Sequence, residues 1–331
     1  MKRIVVGVLL LALAAAVFAD DALVLPKGVL RTYLTGAYAF ASEEWKTGDK
    51  VDIAGFDTLG AFNLGGAVEF GVIDWISAAL QWAPGWSIWS ATENGTPPFD
   101  KLQVNGPYNV FAGAKIQVIG PNAPVANEMI RLAAAAGVKI PVETADAAYW
   151  QEQYLAGPGG GGTEWVSSYN DKPLWGLGAR AYFDYVLNKM FYFNLYSEFI
   201  YYLGTVKRNE VSVADWGAVF GGATNSDVSF GYDLTVEAEP HFETMFGNGM
   251  RLGVGLPVTY SMSPEIKRDD VAVSDTDSYL LTVSPNVSLF LTKFIIPTEI
   301  KVGYTLPLVG KNAYATNTVV VQLKTYLRFY K

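Results

Sequence analysis

The stretch Asn317-Thr318-Val319-Val320-Val321-Gln322-Leu323-Lys324-Thr325-Tyr326-Leu327-Arg328-Phe329-Tyr330 decides how the rest of the chain is read. Successive side chains of a strand point to opposite faces. Here Val319, Val321, Leu323, Thr325, Leu327 and Phe329 share one face, and Gln322, Lys324, Tyr326 and Arg328 share the other. The same split recurs in Phe191, Phe193, Leu195, Phe199 and Tyr201 against Asn194, Tyr196 and Glu198. It recurs again in Phe230, Tyr232, Leu234 and Val236 against Asp233, Thr235, Glu237 and Glu239. A soluble sandwich alternates in the same way, so length has to decide. Sandwich strands run to about 5 to 6 residues, whereas a tilted bilayer crossing needs about 9 to 11.

Working outward, twelve alternating segments can be drawn: 29–42, 57–71, 74–89, 106–119, 129–143, 174–187, 190–204, 228–241, 249–262, 278–292, 296–308 and 316–330. Segment 129–143 contains Ala133 to Ala136, which suits a helix as well as a strand. Counting it as a strand keeps the number even and the rhythm of connections intact. Short turns fall at Gly71 to Asp74, Leu187 to Met190 and Lys293 to Ile295, with slightly longer ones at 120–128 and 242–248. Mostly longer connections at 43–56, 90–105, 144–173, 205–227, 263–277 and 309–315 lie between them. Short turns at one end and long loops at the other are the pattern of transmembrane barrels. The fold expected is all-β: an antiparallel up-and-down transmembrane barrel of about 12 strands. Aromatic residues near segment ends, among them Trp75, Trp82, Trp86, Trp89, Trp175, Tyr201, Tyr202, Tyr260 and Tyr330, fit interfacial girdles.

Composition narrows the function. The 331 residues are 50% hydrophobic and only 17% charged, yet the one long apolar run is Ile4 to Ala19, so a polytopic helical protein is excluded. Lys2-Arg3, that apolar run and Val17-Phe18-Ala19 read as a signal peptide over 1–19, leaving 20–331 as a single barrel domain. Without Lys2 and Arg3, 22 basic residues face 32 acidic ones, a net charge of −10 that argues against nucleic acid as a partner. The absence of cysteine excludes disulfides, thiolate metal sites and cysteine nucleophiles. The single histidine, His241, stands between Glu239 and Glu243 at a strand end, which reads as a solvated polar end and not a metal site. Neither a cofactor nor an enzyme activity is expected.

The segment Leu25-Pro26-Lys27-Gly28-Val29-Leu30-Arg31, followed by a strand and an acidic loop with Trp45, resembles spirochaete outer-membrane proteins related to the FadL-like fatty-acid transporters. Glu69-Phe70-Gly71-Val72-Ile73-Asp74-Trp75 and Gln81-Trp82-Ala83-Pro84-Gly85-Trp86 are similar to theirs too. The resemblance implies uptake of hydrophobic solutes across a bacterial outer membrane. That family carries an N-terminal plug; with about nine residues between 20 and the first segment, no plug domain is expected here. The aromatic-ended last segment resembles the signal read by the barrel assembly machinery, which with outer-membrane lipid and a small solute makes up the expected partners.

Candidate functional residues come from the faces opposite the apolar rows. Arg31, Lys115, Arg131, Lys139, Arg180, Arg251, Lys301, Lys324 and Arg328 are basic there, and Glu69, Glu143, Asp184, Glu198, Asp233, Glu237, Glu239 and Glu299 are acidic. Near-balance in a narrow interior implies paired charges, because an unpaired buried charge is costly. Glu69, Arg131, Asp184, Glu237, Glu239, Arg251, Lys301, Lys324 and Arg328 sit near short-turn ends and are expected to form a constriction. In the longest connection, Trp150, Tyr154 and Trp165 accompany the run Gly157-Pro158-Gly159-Gly160-Gly161-Gly162, a composition suited to contacting solute at a pore mouth. A non-transport surface barrel acting through its external loops is the alternative.

Overall fold

A computed structural model describes residues 21–53, 56–93, 101–142, 164–168, 172–209, 225–247 and 249–329. Residues 1–19, where a signal peptide is expected, and loop residues Trp150 and Tyr154 lie outside the described residues.

All twelve expected segments are strands. In chain order they are β1 (Val29–Ala41), β2 (Phe56–Ile73), β3 (Ile76–Glu93), β4 (Val110–Gly120), β5 (Ile130–Ile140), β6 (Gly176–Val186), β7 (Phe191–Tyr202), β8 (Tyr232–Met245), β9 (Met250–Gly255 and Val258–Ser263), β10 (Ser278–Val283 and Asn286–Leu291), β11 (Thr298–Lys311) and β12 (Asn317–Arg328). Each pairs antiparallel with its chain neighbours, and β12 returns to β1 from Val29↔Arg328 to Phe40↔Asn317, closing the 12-strand barrel. Closure leaves no open edge, which is what lets a sheet sit in hydrocarbon with its backbone polar groups satisfied. The alanine-rich β5 pairs with β4 on one side and β6 on the other, so cross-strand bonding overrides its helical propensity.

The expected faces hold. Leu195, Leu323, Val319, Phe191 and Val321 point outward, 38–47% exposed, while Asp184, Glu239, Lys301 and Gln322 on the inward faces are buried. Phe230 departs from its expected place in the outward row. The chain turns inward at Gly231, whose φ of 69° is open to glycine, and puts Phe230 in a buried cluster above the lumen. The first turn also moves: β2 runs on through Ile73, leaving Asp74-Trp75 as the turn. Gly71 is needed instead where the N-terminal segment passes, because a Cβ there would lie 2.2 Å from the Pro26 carbonyl oxygen.

Prolines interrupt β9 at Leu256-Pro257 and β10 at Ser284-Pro285 without shifting register, since Gly255↔Asn286 and Val258↔Val283 stay aligned on either side. A proline has no N–H for the ladder. The strand Lys101–Pro107 continues the line of β4 beyond Tyr108-Asn109 and pairs with the far end of β3. Two small sheets stand on the long-loop end. One joins Glu43–Lys46, Asp49–Asp52 and Ala313–Tyr314 around buried Trp45. There burial, with Glu44 close by, pushes the Tyr314 phenol up. The other joins Val206–Asn209, Asn225–Ser229, Lys267–Arg268 and Val271–Ala272.

Candidate functional site

The inward faces form a band of alternating charge near the short-turn end. On β1 and β2, Arg31 pairs with Glu69, and Ser77 of β3 donates to the same carboxylate at 2.6 Å. On β11 and β12, Lys324 lies 3.4 Å from Glu299, whose other oxygen faces the Tyr326 hydroxyl at 3.5 Å. Buried Lys301 acts on Glu239, Glu299 and Glu237 together, and Thr259 donates to Glu237 at 2.7 Å. His241 meets Glu239 at 3.1 Å through Nδ1 and stacks on Tyr192, with ring centroids 4.5 Å apart.

Two glycines let this band cross β9. A Cβ on Gly255 would stand 1.9 Å from Glu239 Oε1 and 2.9 Å from Asn286 Nδ2, and one on Gly253 would stand 2.5 Å from Ser288 Oγ. Without a side chain on β9, Glu239 of β8 hydrogen-bonds Asn286 of β10 across it. The Gly-x-Gly spacing at 253 and 255 was the available sequence signal, because it puts both gaps on the inward face.

On the opposite arc the band closes on a peptide. Residues 21–25 enter the lumen from the short-turn end. The Ala22 amide donates to both oxygens of Asp184 at 3.1 Å, and Lys115 donates to the Asp21 carbonyl at 2.5 Å. Arg131 stands 3.7 Å from Asp184. Ala22 is fully buried against Ala133 of β5 and Tyr182 of β6, so the peptide packs on the wall beside Asp184. Nothing in the pattern of Asp21-Ala22-Leu23-Val24-Leu25 distinguishes it from an ordinary leader to the first strand.

Of the nine expected constriction residues, Glu69, Arg131, Asp184, Glu237, Glu239, Lys301 and Lys324 lie in this band. Arg251 pairs with Glu243 at 2.9 Å near the turn and lies over Phe290, while Arg328 is exposed at the end of β12. Trp165 belongs to Glu164–Ser168, whose backbone runs parallel to Lys101–Pro107. Among the described residues, no group of three or more histidine or carboxylate side chains is arranged to hold a metal ion.

The long-loop end is built differently. Phe111, Leu174, Ile200, Tyr202, Val228, Phe230 and Ile266 form an apolar cluster there. Lys172, 1% exposed, enters beside it and bonds Asp233 at 2.5 Å and Ser263 at 3.3 Å, while Asn109 donates to its carbonyl at 2.8 Å. Between the two ends, Tyr33, Thr35, Ala37, Ala67, Ala79, Gln81, Ala135, Arg180, Tyr196 and Glu198 are half-buried inward residues. Gln117 Nε2, Asn194 Oδ1, Asn286 Oδ1, Thr318 Oγ1 and Gln322 Oε1 are buried inward-facing atoms without a hydrogen-bond partner.

No known protein family and no curated protein matches the chain by sequence. Solved structures do match by shape. An outer membrane channel from Pseudomonas putida F1 aligns over 94% of this chain and 100% of its own, with a TM-score of 0.61 and 12% identity. A FadL homologue from Pseudomonas aeruginosa aligns over 92% of this chain and 91% of its own, at 0.38 and 10%. The transport unit of the autotransporter AIDA-I from Escherichia coli aligns over 97% and 96%, at 0.46 and 8%. The first likeness shows that the chain has the fold of an outer-membrane barrel.

Proposed function

We propose that this chain is an outer-membrane channel for small solutes, in the state where a peptide of its own occupies the periplasmic mouth. The observation that carries the reading is the unsatisfied polar lining. A buried polar atom without a partner costs about 1–3 kcal/mol, so five of them on one inner surface suit a lumen that water or a polar part of a solute enters. Among the described residues Arg31, Arg131, Lys172, Arg180 and Lys324 each pair with a carboxylate, so an ion passing through competes with existing pairs while an uncharged solute does not. The sequence resemblance at 25–31, 69–75 and 81–86 supports hydrophobic solutes within that class. By the general pattern of such barrels the short turns face the periplasm and the long connections face outward. Trp150, Tyr154 and Trp165 then belong to the external mouth, and the constriction belongs to the inner one.

A second reading, a surface barrel acting through its loops, has one observation of its own. The six long connections hold 18 acidic and 9 basic residues, nearly the whole net charge of the mature chain. Liposome swelling with neutral sugars and with small aromatic alcohols separates the two. Swelling above protein-free liposomes supports the channel. Its absence from both the full chain and a chain lacking residues 21–25 contradicts it and leaves the surface reading.

A further inference from the structure

At mid-height of the lumen one side chain leaves its own part of the wall. Arg180 of β6 donates Nε to Glu198 of the adjacent β7 at 2.5 Å, and Nη1 to Gln81 of β3 at 2.6 Å. Two strands, β4 and β5, stand between β6 and β3. At about 4.8 Å per strand the wall runs roughly 14 Å from one to the other, so the two side chains span that arc as a chord. The chord is possible because the intervening inward positions are small: Gly113 on β4, and Ala135 and Gly137 on β5.

Phe111 supports the chord from beneath. Its ring lies on three glycines, since a Cβ on Gly113, Gly137 or Gly178 would come within 2.8, 2.6 or 2.4 Å of ring atoms. The Arg180 guanidinium carbon stands 3.9 Å from the centre of that ring. Arg180 is therefore held by a carboxylate, an amide and an aromatic face at once. On the neighbouring strand positions Ala67 and Ala79 are small, half-buried inward residues.

We propose that Arg180, Gln81 and Phe111 form a crossbar that sets the size limit of the passage, a role that rests on the channel reading above. Glu198 cancels the Arg180 charge, so the crossbar sorts solutes by size and not by sign. Gln81 is its neutral far support, and removing it frees the chord while leaving the Arg180–Glu198 pair and the Phe111 contact in place.

The test is liposome swelling over a series of neutral sugars of increasing size, with reversal potentials in planar bilayers measured in parallel. Gln81→Ala is expected to admit at least the next larger sugar with an unchanged reversal potential and an unchanged unfolding midpoint. Gln81→Glu, which keeps an acceptor for Arg180, retains the wild-type limit. Arg180→Gln combined with Glu198→Gln gives the larger shift in size limit, and if it fails to fold, Gln81→Ala decides alone. Correctly folded Gln81→Ala protein with the wild-type size limit overturns the crossbar while the channel stands. A changed reversal potential in that variant overturns the assignment to size. No swelling from any protein, including one without residues 21–25, overturns the channel reading and the crossbar with it.

Discussion

The two ends of the lumen are lined by opposite chemistry. Near the short turns stands a band of ion pairs with a peptide bonded to Asp184. Near the long loops stands an apolar cluster in which Phe111, Ile200, Tyr202 and Phe230 pack together, with Lys172 beside it. Glycine makes room for both: Gly253 and Gly255 let carboxylates reach across β9, and Gly113, Gly137 and Gly178 bed an aromatic ring. The difference is one of separability. An apolar cluster formed by the wall and its cap contributes to the fold itself, so loosening it unfolds structure. The peptide is held by the Ala22 amide, which shares one N–H between both Asp184 oxygens, by Lys115 and by the burial of Ala22, Val24 and Leu25, and the barrel ladder does not pass through it.

Phe111→Ala at the apolar end is expected to cost most, about 3–5 kcal/mol, as other buried Phe→Ala changes do. Urea unfolding in liposomes measures it, and a loss below 1 kcal/mol would show that the cluster does not support the wall. On the outer surface, Leu195→Arg or Leu323→Arg should cost about 2–4 kcal/mol by placing charge in hydrocarbon. Unchanged folding free energy at both positions would remove the membrane assignment. At the ionic end, Gly255→Ala pushes a Cβ into Glu239 and Asn286, and overpacking of this kind costs about 1–3 kcal/mol. Gly36→Ala, which meets nothing within 4 Å, is its control and should fall within about 0.5 kcal/mol of wild type. The smallest effect on stability and the clearest on flux is expected from Asp184→Asn, which weakens the acceptor for Ala22. Its unfolding midpoint should stay close to wild type while its mean conductance rises.

The wall was legible in the sequence because each strand repeats one simple rule over many residues. Outward Val319, Val321 and Leu323 and inward Gln322 and Lys324 follow from period alone, and so do the seven band residues, whose strand position fixes both face and height. What was not legible depends on contacts between strands far apart in the chain. Residues 21–25 have no periodicity to reveal that they enter the lumen; only the meeting of Ala22 with Asp184, 162 positions away, shows it. The Arg180–Gln81 chord is equally silent, since each residue alone reads as an ordinary inward polar group. Phe230 falls outside the outward row because the period does not extend past Gly231, where the backbone leaves the strand.

If the barrel conducts and residues 21–25 occupy its short-turn mouth, single-channel recording of residues 20–331 against a form lacking residues 21–25 shows larger or longer openings in the shortened form, with Asp184→Asn falling between the two. Equal conductance in the three proteins, each shown to be folded by its heat-modifiable mobility, would contradict that occupancy.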